Sequence, residues 1–222
     1  GKLIHQDILG SDEKCDSNVG AALINMYTKC GTIDDVQRAF DSLTTGQGVD
    51  VWNLMIAAHV QHGLHKEALR IFEKMCEQPM LVQPNKVTFV HVLSACDNAS
   101  LVSEGREFFK SMKSRYGITP LAEHYSCMVS LLGKAGLLEE SESYLKDMPS
   151  EPSGFVWMTM LNACKLHGDL KRAEEAVKRV IDMDEYNVEA CRILASMYDA
   201  AGIQVDDGLN ITKLEDQMGN VT

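Results

Sequence analysis

The chain has 222 residues and a mass of 24.6 kDa, enough to bury a sizeable core. Its 45% hydrophobic and 24% charged residues exclude a wholly disordered chain. The sequence has no run of 18 apolar residues, so no membrane-spanning helix is predicted. The net charge of −11, of which residues 182–222 carry −7, excludes a basic footprint for nucleic acid and favours a protein partner or solvation for the acidic C-terminal segment.

A repeat organises the whole sequence. Six similar segments are centred on small residues spaced by 32, 37, 36, 32 and 34 positions, namely Gly31, Gly63, Ser100, Gly136, Gly168 and Gly202. A helix pair is predicted around each of these anchors, taken in chain order. The anchor itself is expected to end the first helix of its pair, as a residue that can adopt a positive φ does.

The apolar spacing on either side of the anchors is helical. Before Gly63, Trp52, Met55, Ile56 and Val60 share one helical face. After the anchors, the second helices repeat steps of three, three, one and three residues, as in Ile33, Val36, Ala39, Phe40 and Leu43, or in Leu138, Ser141, Tyr144, Leu145 and Met148. Both tryptophans, Trp52 and Trp157, are expected to pack between neighbouring repeats.

Stacked helix pairs of this length predict an all-α fold, an α-solenoid of helix-turn-helix hairpins. A single pair cannot bury its apolar faces alone, whereas a stack buries a continuous core. The first helices are expected to line a concave face suited to an extended ligand.

The repeat closely resembles the pentatricopeptide repeat family, in its plant form with alternating motif lengths. The resemblance is carried by five stretches, GAALINMYTKCGTIDDVQRAFDSL (20–43), VWNLMIAAHVQHGLHKEALRIFEKM (51–75), PNKVTFVHVLSACDNASLVSEG (84–105), YGITPLAEHYSCMVSLLGKAGLLEE (116–140) and VWMTMLNACKLHGDLKRAEEA (156–176). The tetratricopeptide consensus, by contrast, is not met after Trp52. The resemblance implies a right-handed superhelix.

The resemblance also predicts motif boundaries. Residues 1–16 resemble the second helix of a truncated long motif, 17–48 a short motif, 49–85 a standard motif with two extra residues, 86–121 a long motif and 122–153 a short motif. Residues 154–187 and 188–222 resemble the paired extension motifs that precede a deaminase-like domain in this family, the second of them degraded.

Members of the family bind single-stranded organellar RNA, one base per repeat, and read it with the fifth and last residues of a motif. The positions that match are Asn53 with Asn85 and Ser126 with Ser153, and Val87 matches the residue that sandwiches the base. The resemblance implies that Asn53 and Asn85 favour a pyrimidine and that Ser126 favours a purine. An amide or hydroxyl can both donate and accept on a base edge.

Other reading positions depart from the family pattern. Ala21, Val90 and Leu121 are apolar where a polar reader is expected, and Asp50 replaces an aliphatic sandwiching residue and would repel phosphate.

The expected function is guidance of organellar RNA modification of the C-to-U editing type. The catalytic domain is expected outside this chain, so no catalytic residue and no cofactor are assigned. An editing factor or deaminase-domain protein could bind residues 154–222. The alternative is a protein-interaction scaffold, which the acidic charge favours.

Motifs for other chemistry are weak. His65 and Glu67 match half of a zinc deaminase motif, but no P-C-x-x-C follows. The seven cysteines lie at least 15 residues apart, so no metal site is predicted, and Cys96 and Cys164 are interpreted as buried thiols. No membrane or small-molecule partner is expected. A mitochondrial or chloroplast location is implied by the resemblance, with the targeting peptide outside this fragment.

Overall fold

A computed structural model describes residues 17–43, 48–78 and 80–203, and within these ranges it contains only α-helices. The predicted truncated motif of residues 1–16 and the end of the last motif, residues 204–222, lie outside the described residues. The helices are α1 (Ser17–Cys30), α2 (Ile33–Asp41), α3 (Val49–Gln61), α4 (His65–Cys76), α5 (Lys86–Ala99), α6 (Val102–Ser114), α7 (Ala122–Lys134), α8 (Leu138–Lys146), α9 (Gly154–His167), α10 (Leu170–Met183) and α11 (Val188–Ala200).

The predicted alternation of first and second helices is confirmed, with local differences at the ends. Leu43 and Met148, placed on second helices by their spacing, lie just beyond α2 and α8. No helix in the described part of the chain is long and apolar enough to span a membrane. The chain divides into two compact units, up to Cys127 and from Met128, and each is described here by itself.

Five of the six anchors have a positive φ, as predicted. Gly63, Gly136, Gly168 and Gly202 do so, and Ser100 adopts the left-handed conformation at φ 55°. Gly31 also directly follows the end of α1, as predicted, but it is not among the residues of positive φ. A Cβ there would lie 2.8 Å from the Tyr27 ring and 2.9 Å from its carbonyl oxygen, so close packing, not φ, explains this glycine.

In the first unit, the first helices α1, α3 and α5 pack one against the next, and each also contacts its own second helix. The core contains an aromatic cluster in which Phe89 makes edge-to-face contacts with Phe72 at 5.6 Å and Tyr116 at 5.2 Å. Trp52 is buried and contacts Phe40 of the preceding pair at 5.1 Å. The predicted packing role of Trp52 is therefore confirmed.

In the second unit, α9 and α10 form a hairpin joined by Gly168 and Asp169, and α11 packs on both of its helices. Their shared core includes Leu161, Val180 and Ile193. Because consecutive helices joined by short connections are antiparallel, α9 and α11 run in the same direction. The start of α9 therefore lies at the same end of this unit as the end of α10 and the start of α11.

An arginine connects α8 to α10 in the second unit. Arg172 forms ion pairs with Glu139 at 3.0 Å, Glu142 at 2.8 Å and Asp169 at 2.5 Å. Hydrogen bonds from Lys146 and Arg172 lower the pKa of the Glu142 carboxyl below its ordinary value. One guanidinium thus bridges three carboxylates that would otherwise repel each other more strongly.

Replacing Arg172 with methionine keeps most of the apolar stem but leaves these carboxylates without their shared cation. We expect the free energy of unfolding of this unit to fall by about 1–2 kcal/mol at neutral pH. A carboxyl with a lowered pKa stabilises the fold above its unfolded pKa, and this contribution is lost as pH falls, so the difference should shrink below about pH 4.

Denaturation at pH 7 and at acidic pH in a Trp52→Phe background, followed by the fluorescence of Trp157, measures this difference. The matched control is Arg192→Met, which removes an exposed 3.3 Å pair with Glu189 and should change stability by less than about 0.5 kcal/mol. Equal effects of the two substitutions would contradict the role assigned to Arg172.

Candidate nucleic-acid interface

Asn53 and Asn85, which the sequence analysis assigned to one base, lie in contact. Asn53 is on α3 and Asn85 caps the start of α5, and the Asn53 Nδ2 donates to the Asn85 Oδ1 at 3.2 Å. Asn53 is only 4% exposed, whereas Asn85 is half-buried. The accessible part of this pair is therefore provided mainly by Asn85.

Thr88 organises this asparagine pair. Its hydroxyl donates to the Asn53 Oδ1 at 2.7 Å and accepts from the Asn85 backbone N–H at 2.9 Å. The Asn85 Oδ1 in turn accepts from the Thr88 backbone N–H at 3.1 Å, which completes a capping box. Within the described chain, the hydrogen bonds of Asn85 leave its Nδ2 donor free.

The sequence analysis missed Thr88, although a signal was present. Asn85 and Thr88 have the three-residue spacing of a capping box directly before an apolar helix. The bond from Thr88 to Asn53 spans 35 residues and depends on the packing of α3 against α5.

Val87 lies in the first turn of α5, two residues after Asn85, and is 51% exposed. An exposed branched side chain next to a free amide offers an apolar surface for the face of a base and a donor for its edge. Asp50, at the corresponding position of α3, is also exposed and adds a negative charge there.

Ser126 and Ser153 belong to different units. Ser126 is half-buried on α7, and its hydroxyl donates to the Ala122 carbonyl at 2.9 Å, so its oxygen remains able to accept. Ser153 is exposed at the N-cap of α9, and its side chain makes no capping hydrogen bond. The hydroxyl of Ser153 is thus available to solvent.

His124 is a second residue that the sequence analysis did not single out for a role. Its side chain is completely buried at the start of α7. The Leu121 backbone N–H donates to its Nδ1 at 3.0 Å, so the proton is on Nε2, which lies 2.9 Å from the Lys86 carbonyl. His124 therefore joins the end of the predicted long motif to the first residue of α5, directly between Asn85 and Val87.

The other residues considered in the sequence analysis as possible metal ligands or reactive groups do not form a site in the described residues. In the described residues, no three His, Cys, Asp or Glu side chains are grouped to hold a metal ion. Glu67 pairs with Arg70 at 2.7 Å on its own helix. Burial raises the pKa of the Cys96 and Cys164 thiols to about 12, so both stay protonated, as the interpretation of buried thiols requires.

Sequence comparisons identify the repeat. The model of the PPR repeat family matches residues 47–98, and the model of the PPR repeat, the pentatricopeptide repeat, matches residues 123–152 and 155–184. A pentatricopeptide repeat-containing protein of Arabidopsis thaliana is 38% identical over 202 residues, 91% of this chain. The chain belongs to the pentatricopeptide repeat family. A second pentatricopeptide repeat-containing protein of that plant, named as mitochondrial, is also 38% identical over 91% of this chain.

The chain spans only 35% and 30% of the lengths of these two pentatricopeptide repeat relatives. Solved pentatricopeptide repeat structures share its fold. The maize protein PPR10 superposes with a TM-score of 0.71 at 16% identity, over 99% of this chain and 30% of that one. The all-α class of stacked helix pairs is therefore confirmed.

Two similar pentatricopeptide repeat structures contain RNA. PPR10 in complex with an 18-nt psaJ RNA element has a TM-score of 0.69 at 16% identity, over 99% of this chain and 32% of that one. The PPR domain of Arabidopsis thaliana protein-only RNase P 1 in complex with tRNA has a TM-score of 0.61 at 14% identity, over 91% of this chain and 96% of that one. At such identities these likenesses concern the fold alone.

Proposed function

We propose that this pentatricopeptide repeat chain binds single-stranded RNA and reads one base through Asn53, Asn85 and Val87. The observation that carries the proposal is the asparagine pair, whose bonds to Thr88 leave the Asn85 Nδ2 as a fixed donor beside exposed Val87. A fixed donor suits a carbonyl oxygen on the edge of a base, because its direction is already set before the base arrives. The family resemblance implies that this base is a pyrimidine. The RNA-bound structures of the same fold support RNA as the ligand.

The finer function follows from the motif order given above. We propose that residues 17–153 are alternating short, standard and long motifs and that 154–187 and 188–222 are extension motifs. In a longer mitochondrial or chloroplast protein, such a chain would position an RNA for C-to-U editing. The deamination itself would come from a domain outside this chain or from a partner bound through 154–222.

Ser126 and Ser153 complete the proposed reading residues, with Ser126 preferring a purine. The Ser126 hydroxyl bonds only to a carbonyl of its own helix, and the Ser153 hydroxyl makes no capping bond. Neither serine is therefore positioned by another side chain, as Asn53 and Asn85 are by Thr88. A protein-interaction scaffold remains the second candidate. The net charge of −11 favours it, since a negative chain gains little from phosphate contacts.

The sharpest test is selection from a randomised single-stranded RNA pool by the full-length protein that contains this chain. We expect Asn53→Ser to change the base preferred at one position and to reduce its pyrimidine preference about tenfold, because the shorter side chain no longer positions Asn85. Asn98→Ser, an exposed asparagine late on α5, is the matched control and should leave the selected pattern unchanged.

The contrary results are equally clear. An identical pattern selected by the wild type and Asn53→Ser would remove this pair from base reading. No enriched pattern, together with binding that does not weaken as salt rises, would favour the scaffold function over RNA binding.

A further inference from the structure

One end of the second unit exposes a group of large apolar side chains. Phe155 at the start of α9 is 77% exposed and Tyr186 before α11 is 69% exposed, with Met183 at 43% and Val188 at 38% beside Tyr186 in the chain. The direction of the helices places the start of α9, the end of α10 and the start of α11 at this same end. We call these four residues the aromatic edge.

The aromatic edge is not a by-product of a poorly filled core. Val156, the neighbour of Phe155, is buried in the same core cluster as Val180 and Ala190. The start of α11 is also capped locally, because the Asn187 Oδ1 accepts from the Ala190 N–H at 3.1 Å. Two exposed aromatic rings on a well-packed end are typical of a contact surface.

The chain segment around Tyr186 is strongly negative. Residues 182–189 contain four acids and neither lysine nor arginine, and all four acids, Asp182, Asp184, Glu185 and Glu189, are exposed. Glu189 pairs with Arg192 at 3.3 Å, while Asp182 and Glu185 make no ion pair within the described residues. Residues 182–189, which we call the acidic rim, therefore keep an uncompensated negative charge in contact with solvent.

We propose that the aromatic edge is a docking surface for a polypeptide that presents apolar side chains flanked by lysine or arginine. Apolar side chains would cover Phe155 and Tyr186, and the basic residues would pair with Asp182 and Glu185. RNA and anionic membranes are disfavoured at Tyr186, because their phosphates would face this acidic rim. A base read by Ser153 could still stack on Phe155. The proposal rests on the protein partner assigned above to residues 154–222 and specifies the chemistry of its surface.

A synthetic amphipathic peptide of leucine and lysine is the probe, and its binding to the full chain is followed by fluorescence anisotropy. Two further peptides carry glutamate for lysine or serine for leucine. We expect only the leucine–lysine peptide to bind, with an affinity that falls as salt is raised.

Two pairs of variants locate the binding. The double variant Phe155→Ser and Tyr186→Ser should weaken peptide binding about tenfold. The control double variant, Met80→Ser and Leu81→Ser, changes exposed apolar residues of the first unit and should not weaken binding. Asp182→Asn with Glu185→Gln should weaken binding about threefold and reduce its salt dependence. Glu73→Gln with Glu77→Gln removes the same charge elsewhere and should have a smaller effect.

Equal effects of the edge variants and their controls would show non-specific attraction to an acidic protein and overturn the proposal. Binding of the glutamate peptide as tightly as the lysine peptide would overturn its electrostatic part. Displacement of the peptide by single-stranded RNA, lost in the Phe155→Ser and Tyr186→Ser variant, would assign the edge to RNA instead. Because the RNA selection depends on Asn53 and the peptide assay does not, failure of either proposal is recognised separately.

Discussion

Replacing Phe89 with alanine is expected to lower the free energy of unfolding of the first unit by about 3–5 kcal/mol. Phe89 is completely buried and has edge-to-face contacts with two rings, Phe72 on α4 and Tyr116 just after α6. Its removal would leave a cavity where three parts of the unit meet. Phe89 is also one residue after Thr88, so the substitution should loosen the asparagine pair.

The two tryptophans allow each unit to be followed separately. In a Trp157→Phe background, Trp52 is the remaining tryptophan and reports unfolding of the first unit. Leu81→Ala, at a site that is 83% exposed in the same unit, is the control and should change stability by less than about 0.5 kcal/mol. A Phe89→Ala transition that coincides with the control would mean that this cluster does not hold the first unit together.

Most of the fold could be predicted because the signal is local and repeated. An apolar side chain every three or four residues identifies a helix, and an anchor residue after it identifies the turn. Gly31 shows where this reasoning stops, since its proximity to the Tyr27 ring and carbonyl depends on three-dimensional packing that spacing does not encode.

The candidate site was less predictable, because its geometry depends on long-range contacts. The sequence suggested that Asn53 and Asn85 act together, but neither spacing nor composition indicated that Asn53 is buried. Asn53 is bonded by the Thr88 hydroxyl, which belongs to the next helix pair, and this long-range contact has no local signal in the sequence. Helical periodicity places a side chain on a face, but it does not show which polar groups already have partners.

Two kinds of surface follow from the same repeat. At Asn85 and Val87 the first turn of a first helix presents an amide and an aliphatic side chain, whereas at Phe155 the corresponding turn presents an aromatic ring in an acidic setting. A helix pair tolerates such differences because the buried positions of its core are elsewhere in the helical period. Each repeat can therefore change its ligand without losing its stacking.

His124 provides a second large expected effect. His124→Phe would keep a flat aromatic ring but remove both ring nitrogens, which leaves the Leu121 N–H without its acceptor and the Lys86 carbonyl without the His124 donor. We expect the first unit to lose about 2–3 kcal/mol of stability, because the affected groups are largely hidden from water.

His124→Gln separates hydrogen bonding from shape, since a glutamine three residues after an N-cap can accept from the N-cap N–H. Denaturation followed by Trp52 should show that glutamine recovers about half of the loss caused by phenylalanine. His62→Phe, an exposed histidine after α3, is the control and should be nearly neutral. If phenylalanine at position 124 were tolerated as well as glutamine, apolar packing alone would hold the start of α7 against the start of α5. The two hydrogen bonds of His124 would then contribute nothing measurable to the stability of the first unit.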